Sequence, residues 1–366
     1  MPGLILTFNA GSSTLKCGLY EVVEGHAVER DRRVIEAPGP DAAHAMLDWA
    51  EGALPGGRLA AVGHRVVHGA AAYSAPVRIT PEVTSALEAL SPLAPLHQPR
   101  SLEAVRAVAS HRPGLVQVAC FDTAFHHTQP AVATWLGLPR ALHEAGVRRY
   151  GFHGLSYQSV CERLAALDPA LPRGRLILAH LGSGASLCAV QGGRSIDTSM
   201  GFSPLDGLLM STRPGALDAG AVLYLLQHEG LDAAQVEDLL YRRSGLLGVS
   251  GLSGDMRVLL ASPESAAAEA VELFVYRAVR EAGALASALG GVDGVVFTGG
   301  VGENSPDIRA RIAGGLGWLG LVLDPAANVT GGEACISRSD SPVAAWVIPT
   351  DEELAIARQT LAGAAE

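Results

Sequence analysis

The stretch Leu4-Ile5-Leu6-Thr7-Phe8-Asn9-Ala10-Gly11-Ser12-Ser13-Thr14-Leu15-Lys16 decides the fold. Its first five residues predict a buried strand, the glycine and serines predict a tight turn, and Leu15 to Tyr20 predicts a return strand. The pattern recurs half a chain later, with strand Leu176–Ala179, turn His180–Gly184 and return strand Leu187–Val190. Two such hairpins predict two related α/β halves, although hairpins are common enough for two to resemble each other by chance.

Short strands and helical segments alternate along the rest of the chain. Further strands are predicted at 59–67, 115–121, 294–298 and 343–348, and helices at 41–50, 101–110, 219–228, 233–243, 264–289 and from residue 351. This alternation predicts the α/β class. A length of 366 residues suits two domains. We predict an N-terminal α/β domain at 1–126, joined by the C-terminal helix 354–366, and a nucleotide-binding α/β domain at 127–353.

The composition excludes several classes of protein. Hydrophobic residues make up 48% of the chain, which predicts a large core, and the net charge of −10 argues against a nucleic-acid surface. The N-terminus has no signal-peptide pattern, and the longest uncharged stretch, 176–193, is a poor membrane span. Five scattered cysteines predict reduced thiols, so we expect a cytoplasmic protein that binds no membrane.

Three glycine-rich segments could bind phosphate groups. The first turn offers backbone N–H groups, hydroxyls and Lys16, which is the only lysine in the sequence. Taken alone, such a stretch is more often an ordinary serine-rich turn, and the second turn, His180–Gly184, is equally ambiguous by itself. The segment Gly299–Ser305 follows a buried strand and is predicted to be a turn that leads into a helix near Pro306. Such an arrangement suits an anion or a mononucleotide, because the dinucleotide GxGxxG pattern is absent.

Four residues could carry the chemistry of a small anionic substrate. Arg65 and Arg213 lie among apolar and glycine neighbours, where a buried charge requires either a structural carboxylate or an anionic ligand. Asp122 follows an apolar strand, and active sites of α/β proteins collect at strand ends. His153 lies between Phe152 and Gly154, although a lone histidine is more often structural. No HExxH or paired metal-ligand spacing predicts a transition-metal site.

Taken together, these segments resemble the acetate kinases, within the sugar-kinase, Hsp70 and actin superfamily. Ten motifs match in order and spacing over nearly the whole chain, namely 5–16, 63–69, 93–97, 121–126, 150–154, 180–184, 198–207, 244–257, 297–305 and 348–354. The resemblance implies two related actin-like (RNase H-like) ATPase domains with a central cleft. It also implies a homodimer that transfers a phosphoryl group from ATP to acetate, giving ADP and acetyl phosphate.

The resemblance implies a role for each matching residue. Asn9 and Glu352 would hold Mg²⁺ (or Mn²⁺), largely through water, and Ser12, Thr14 and Lys16 would face phosphates. Arg65 and Arg213 would bind the substrate carboxylate and the transferring phosphoryl group, with Asp122 and His153 beside them. The substrate methyl group would contact Val67, Leu96, Phe152 and Pro204. ATP or ADP would be bound by His180, Leu181, Gly182, Ser183, Gly184, Asp255, Met256, Arg257, Gly300, Val301, Gly302, Glu303 and Asn304.

Some positions depart from the family pattern. Ser183 stands where asparagine is usual, Ala70 follows a glycine that is usually doubled, and Gln98-Pro99-Arg100 replaces Asn-Pro-Pro. The chain is also shorter than most members of this family, and the difference lies mainly before Leu59. These departures bear on nucleotide preference and interfaces rather than on the reaction.

The charge of the substrate indicates how catalysis would work. A carboxylate is already ionised at neutral pH, so no general base is needed to create the nucleophile. The enzyme must instead neutralise the repulsion between two anions, and we therefore expect Asp122 to orient Arg65 or metal-bound water rather than to move a proton.

Three alternatives remain at this stage. The first is the same chemistry on propionate or butyrate. The second is a nucleotide-switch ATPase of the actin or Hsp70 kind, and the third is a sugar kinase, which would need polar residues where Val67, Leu96 and Pro204 stand.

Overall fold

The structure is a computed structural model that describes residues 3–11, 14–39, 41–53, 59–95 and 97–365. Two predicted site residues, Ser12 and Leu96, lie outside the described residues.

Strands and helices alternate along the described chain, which confirms the α/β class. The strands are β1 (Leu4–Ala10), β2 (Thr14–Val23), β3 (His26–Glu36), β4 (Leu59–Val66), β5 (Val77–Arg78), β6 (Val116–Phe121), β7 (Arg175–Leu181), β8 (Ala185–Gln191), β9 (Arg194–Thr198), β10 (Gly294–Thr298), β11 (Ala334–Cys335) and β12 (Ala344–Val347). The α-helices are α1 (Ala42–Gly52), α2 (Pro81–Ala89), α3 (Gln98–His111), α4 (Ala131–Thr134), α5 (Arg140–Glu144), α6 (Gly154–Leu167), α7 (Ala219–Gln227), α8 (Ala233–Arg242), α9 (Gly245–Ser250), α10 (Met256–Ala261), α11 (Ser265–Leu289), α12 (Gly299–Asn304), α13 (Pro306–Gly315), α14 (Pro325–Val329) and α15 (Glu352–Gly363).

The two sheets have the same topology. The strand order is β3-β2-β1-β4-β6-β5 in the first and, read in the matching direction, β9-β8-β7-β10-β12-β11 in the second. Strand directions also correspond: β1 and β7 are each antiparallel to the next strand in the chain and parallel to β4 and β10, respectively. The repeat predicted from the two hairpins therefore extends to two complete six-stranded sheets.

The chain divides into two compact units. The first contains Met1–His127, Phe152–Ser159 and Asp351–Glu366, and the second contains Thr128–Gly151 and Val160–Thr350. The predicted boundary after residue 126 lies next to this division, but the exact extent of folding domains stays a prediction.

The first sheet is covered on both faces by helices of its own unit. A hydrophobic cluster that includes Leu6, Phe8, Met46 and Leu47 packs β1 against α1 and α3. On the other face, α15 lies across β1, β4 and β6 and buries Ile356 and Ala357. Two covered faces explain why β1 is an almost unbroken apolar run rather than an alternating one.

In the second unit, the 25-residue helix α11 packs against β7, β8 and β9. Strand β10 is buried along its whole length, as its apolar sequence predicts. Among the described helices, none has the length and apolar content that a membrane crossing requires.

The prediction for Gly299–Ser305 needs one correction. Residues Gly299–Asn304 form the short helix α12 rather than an open turn, and α13 then begins at Pro306 as predicted. Two side chains hold this helix, Glu303 near its own C-terminal end and Arg309 from α13. Glu303 Oε1 accepts from Gly299 N–H, and Arg309 Nη1 donates to the carbonyl groups of Gly302 and Glu303.

Candidate active site

The carboxyl end of β1 meets the beginning of α15 in the first unit. Asp351 caps this helix by accepting a hydrogen bond from Leu354 N–H, so Glu352 and Glu353 occupy its first turn. The buried side chain of Asn9 donates from Nδ2 to Glu352 Oε2 at 2.8 Å and to Glu353 Oε1 at 2.7 Å. The structure thus brings together the two predicted metal ligands, Asn9 and Glu352, although they are 343 residues apart in sequence.

Arg65 and Asp122 form an ion pair beside this contact. Both Nε and Nη2 of Arg65 donate to Asp122 Oδ2, at 2.9 and 2.6 Å, and Nη1 donates to Asn9 Oδ1 at 3.3 Å. The pair forms because β4 and β6 are adjacent and parallel, so both residues reach the same edge of the sheet. The arginine is therefore held by a structural carboxylate, which was one of the two partners considered from the sequence.

The charges around Asp122 perturb its protonation. Burial raises the pKa of Asp122 above its ordinary value, Arg65 opposes that rise, and Glu352 adds to it. Burial also raises the pKa of Glu353, and Glu352 raises it further, whereas the Asn9 hydrogen bond, Lys16 and Arg32 lower it. Three carboxyl groups thus share a small buried region, where a bound cation would relieve their repulsion.

His153 has a left-handed backbone, with φ of 59°, which is uncommon for a residue other than glycine. The next residue, Gly154, donates from its N–H to the Asp122 carbonyl oxygen at 3.0 Å and begins α6. A Cβ atom at position 154 would clash with that oxygen. The segment that carries His153 is therefore held directly against Asp122.

Two predicted residues of the methyl-binding pocket, Val67 and Phe152, are buried in the first unit. Val67 is 3% exposed and Phe152 is 2% exposed. The ring of His68, next to Val67, packs edge-on against the Phe152 ring with centroids 5.7 Å apart. The third described member, Pro204, lies in the second unit, where its carbonyl oxygen accepts a hydrogen bond from Arg213 Nη1 at 2.8 Å.

The first hairpin turn carries the predicted phosphate contacts. Gly11 N–H donates to the Thr14 carbonyl oxygen, and Lys16 pairs with Asn9 across the two strands with its side chain exposed. A cavity of about 720 Å³ opens beside Gly11 and Thr14, between this turn, α1 and α3. Arg100 and Glu103 lie on its wall.

In the second unit, backbone contacts join the segments predicted to bind the nucleotide. His180, the residue before the last in β7, pairs with Ser186 on β8 and with Thr298 on β10. Gly182 N–H donates to the Gly184 carbonyl. Gly299 has φ of 77° and packs so closely on Leu181 that a side chain there would be crowded by the Leu181 backbone. The turn at 180–184 and helix α12, which contains Gly300, Val301, Gly302, Glu303 and Asn304, therefore lie side by side.

Ser211 connects this turn to the remaining predicted residues. Its N–H donates to the Ser183 carbonyl, and its hydroxyl donates to the Gly254 carbonyl at 2.8 Å. Asp255 caps α10 and pairs with Arg257, whose side chain is 90% exposed, while Met256 is buried in the core. The loop that contains Ser211 and Arg213 therefore contacts both the turn at 180–184 and the segment 254–257. Within that segment, Met256 packs in the core and offers no exposed side chain to a ligand.

The sequence alone assigned no role to three buried polar residues that support these segments: Glu353, Gln98 and Arg309. A charged or amide residue inside an apolar helix face was the signal that could have found Arg309, which is 1% exposed. Gln98 and Glu353 give no comparable signal because their partners are distant in sequence.

The family model for the acetokinase family matches residues 54–358. This chain belongs to the acetokinase family. The acetate kinase of Rhodopseudomonas palustris strain TIE-1 is 51% identical over 98% of both chains, and that of Methylocella silvestris is 45% identical over 99% of this chain and 98% of the relative. The predicted family is therefore confirmed.

Solved structures agree with this assignment to the acetokinase family. The crystal structure of acetate kinase from Porphyromonas gingivalis has a TM-score of 0.87 and 37% identity, covering 99% of both chains. A propionate kinase from Francisella tularensis has a TM-score of 0.86 and 34% identity, covering 98% of this chain and 99% of that one. Both likenesses confirm the predicted fold.

Proposed function

We infer that this acetokinase-family protein is an acetate kinase, which transfers a phosphoryl group between ATP and acetate. The observation that carries the inference is the Arg65–Asp122 pair, because it holds a guanidinium group in a largely buried setting beside Asn9 and the Ala10 carbonyl. Arg65 is 14% exposed and Asp122 only 1%. A guanidinium group held in this way suits the carboxylate of a small acid, and the neighbouring Val67 and Phe152 suit its methyl group.

The reaction needs positioning and charge neutralisation rather than a base. The acid is ionised at neutral pH, so its carboxylate oxygen attacks the γ-phosphorus atom directly, and the bond from phosphorus to the β–γ bridging oxygen breaks. Arg65 and Arg213 are the residues we assign to neutralising the acid and the transferring group. Asp122 acts through Arg65 by holding its guanidinium group. His153, whose neighbour Gly154 bonds the Asp122 carbonyl, is assigned to the same site.

Asn9 and Glu352 are the residues we assign to Mg²⁺. Their amide and carboxylate oxygens are the type of ligand that Mg²⁺ prefers, and Mg²⁺ usually retains several waters when it binds few protein groups. The described residues contain no group of three or more His, Cys, Asp or Glu side chains placed to hold a metal. The repulsion between Glu352 and Glu353, which raises the pKa of Glu353, also favours a cation beside Asn9. When bound, Mg²⁺ neutralises phosphate charge.

The nucleotide is assigned to the second unit. The Gly-rich turn at 180–184 and helix α12 offer backbone groups at close approach, and Asp255 to Arg257 lie one loop away. Thr14 and Lys16 in the first unit, with Ser12, are assigned to phosphate contacts.

One assay tests the reaction and its substrate. The purified protein is incubated with ATP, Mg²⁺ and either acetate, propionate or butyrate, and acyl phosphate is trapped as the hydroxamate. We expect acetate to be the best substrate and propionate to be a poorer one. Propionate kinase is the second candidate, favoured by the likeness to the Francisella tularensis enzyme, and a higher kcat/KM on propionate would establish it. ATP hydrolysis that is undiminished without any acid would instead indicate a nucleotide switch.

We also infer a cytoplasmic homodimer. Helix α7 has the sequence AGAVLYLLQ, carries no charge and has no buried residue, with Leu223 and Tyr224 each about half exposed. Such an apolar face suits contact with a second copy. None of the five cysteines forms a disulfide bond, which suits a reducing compartment. Leu223→Glu should convert a dimer to a monomer in sedimentation velocity, and a wild-type monomer would contradict the proposal.

A further inference from the structure

The side chain of Gln98 forms a pair of hydrogen bonds with the backbone of His68. Its Oε1 accepts from His68 N–H at 3.1 Å, and its Nε2 donates to the His68 carbonyl at 3.1 Å. Nε2 also donates to the Leu87 carbonyl at 3.2 Å. Gln98 is completely buried at the start of α3. One carboxamide therefore ties the segment after β4 to both α2 and α3.

Hydrogen bonds also fix the backbone of the residues on either side of His68. On one side, Asp122 N–H donates to the Val66 carbonyl, which continues the β4–β6 pairing. On the other side, Gly69 N–H donates to Thr123 Oγ1 at 3.0 Å and Ala70 N–H donates to His68 Nδ1 at 2.9 Å. The backbone is thus fixed by hydrogen bonds on both sides of Val67, at Val66 and at His68. Gln98 makes the hydrogen bonds at His68.

The ring of His68 extends this restraint to Phe152. Because Nδ1 accepts a hydrogen bond from Ala70, the neutral ring carries its proton on Nε2 and keeps one orientation. That ring contacts Phe152 edge-on. His68 therefore connects the two pocket residues of the first unit, because its backbone follows Val67 and its ring contacts Phe152. Gln98 fixes that backbone through its two hydrogen bonds.

We propose that Gln98 is a positioning residue for acid recognition, which sets the width of the methyl-binding pocket by clamping the His68 backbone. The inference rests on the proposed function, since it assumes that Val67 and Phe152 meet the substrate. Gln98 itself touches no reacting atom. Its loss should change how tightly and how selectively the short acid binds, while nucleotide binding stays as it is.

The test uses matched substitutions of two buried glutamines. Gln98→Asn shortens the side chain by one methylene, so it cannot keep both hydrogen bonds to His68. Gln117→Asn is the control, because Gln117 is also buried in the first unit but bonds His64 at the opposite end of β6. Gln98→Met is a second variant that preserves volume and removes both hydrogen bonds, in case the shorter side chain prevents folding.

We expect Gln98→Asn to raise the KM for acetate roughly five- to ten-fold, the factor expected for one lost buried hydrogen bond, and Gln98→Met to raise it at least as much. The propionate-to-acetate ratio of kcat/KM should rise, and the KM for ATP should change by less than about two-fold, well below that factor. Gln117→Asn should leave both KM values unchanged even where it lowers the melting temperature.

Two outcomes would overturn the inference: a folded Gln98 variant with an unchanged acetate KM and acid ratio, or an equal rise in the KM for ATP. Wild-type protein that phosphorylates no short acid would instead overturn the proposed function.

Discussion

Asp122 Oδ2 receives two hydrogen bonds from Arg65, one from Nε and one from Nη2. Both donors converge on one oxygen of a carboxylate that is almost completely buried. This geometry orients the guanidinium group and adds a permanent positive charge next to an acid whose pKa is raised by burial. This arrangement is expected if Asp122 orients the Arg65 guanidinium group and does not move a proton.

Asp122→Asn should lower kcat roughly 10²-fold, because Arg65 loses the charge that holds it. The solvent isotope effect on kcat, measured in H₂O and D₂O, should be near unity in both the wild type and the variant. A clear isotope effect in the wild type that disappears in the variant would show that Asp122 moves a proton.

Arg213→Ala should lower kcat by a factor of about 10³, the typical cost of removing an arginine from a phosphoryl transition state. Steady-state turnover measures this loss. Arg338→Ala is the control, because Arg338 forms an exposed ion pair with Asp340 and should leave turnover unchanged. Near-normal turnover of Arg213→Ala would contradict the electrostatic account.

Gly154→Ala should destabilise the protein and abolish most activity, since the added methyl group clashes with the Asp122 carbonyl oxygen. The expected loss is several kcal/mol in the free energy of unfolding, measured by urea denaturation. Gly314→Ala in α13 is the matched control, because no atom lies within 4 Å of the added Cβ. That change should be neutral or slightly stabilising, and equal losses from the two changes would rule out the clash.

Val67→Ala should narrow the difference in kcat/KM between acetate and propionate. A single methylene is worth about 1–3 kcal/mol in an apolar pocket, and the smaller side chain makes room for it. Val62→Ala, in the buried part of β4, is the control for a general loss of packing. If both variants keep the wild-type ratio, Val67 is not part of the pocket wall.

His64 should make the protein sensitive to acid. It is buried, stacks on Phe8 and bonds Gln117, and burial lowers its pKa to about 4. A histidine with a lowered pKa contributes stability above the unfolded value near 6.5 and loses it as the pH falls towards 4. The free energy of unfolding of the wild type should therefore fall by about 3 kcal/mol more than that of His64→Leu between pH 6.5 and 4. Parallel curves would show that His64 does not control this loss.

Most elements of the fold could be predicted from local pattern. The apolar runs of β1, β7 and β10 and the long helix α11 match their predicted bounds within a few residues. Strand β3 was not predicted, because its sequence HAVERDRRVIE is mostly charged and exposed and is ordered by pairing with β2. Helix α12 was predicted as a turn because its glycines disfavour helix. The side chains that hold it are close in sequence, since Glu303 bonds Gly299 four residues back and Arg309 bonds Gly302 seven residues back.

The sequence by itself determined the family, the α/β repeat and the residue types of the site, since these depend on local periodicity and on motifs in a set order. Tertiary structure decided which residues touch: Asn9 with Glu352 and Glu353, Arg65 with Asp122, and Gln98 with His68. Those pairs join residues from 30 to 344 positions apart. No local pattern encodes such contacts, because they exist only after parallel strands and covering helices have brought their ends to one edge of a sheet.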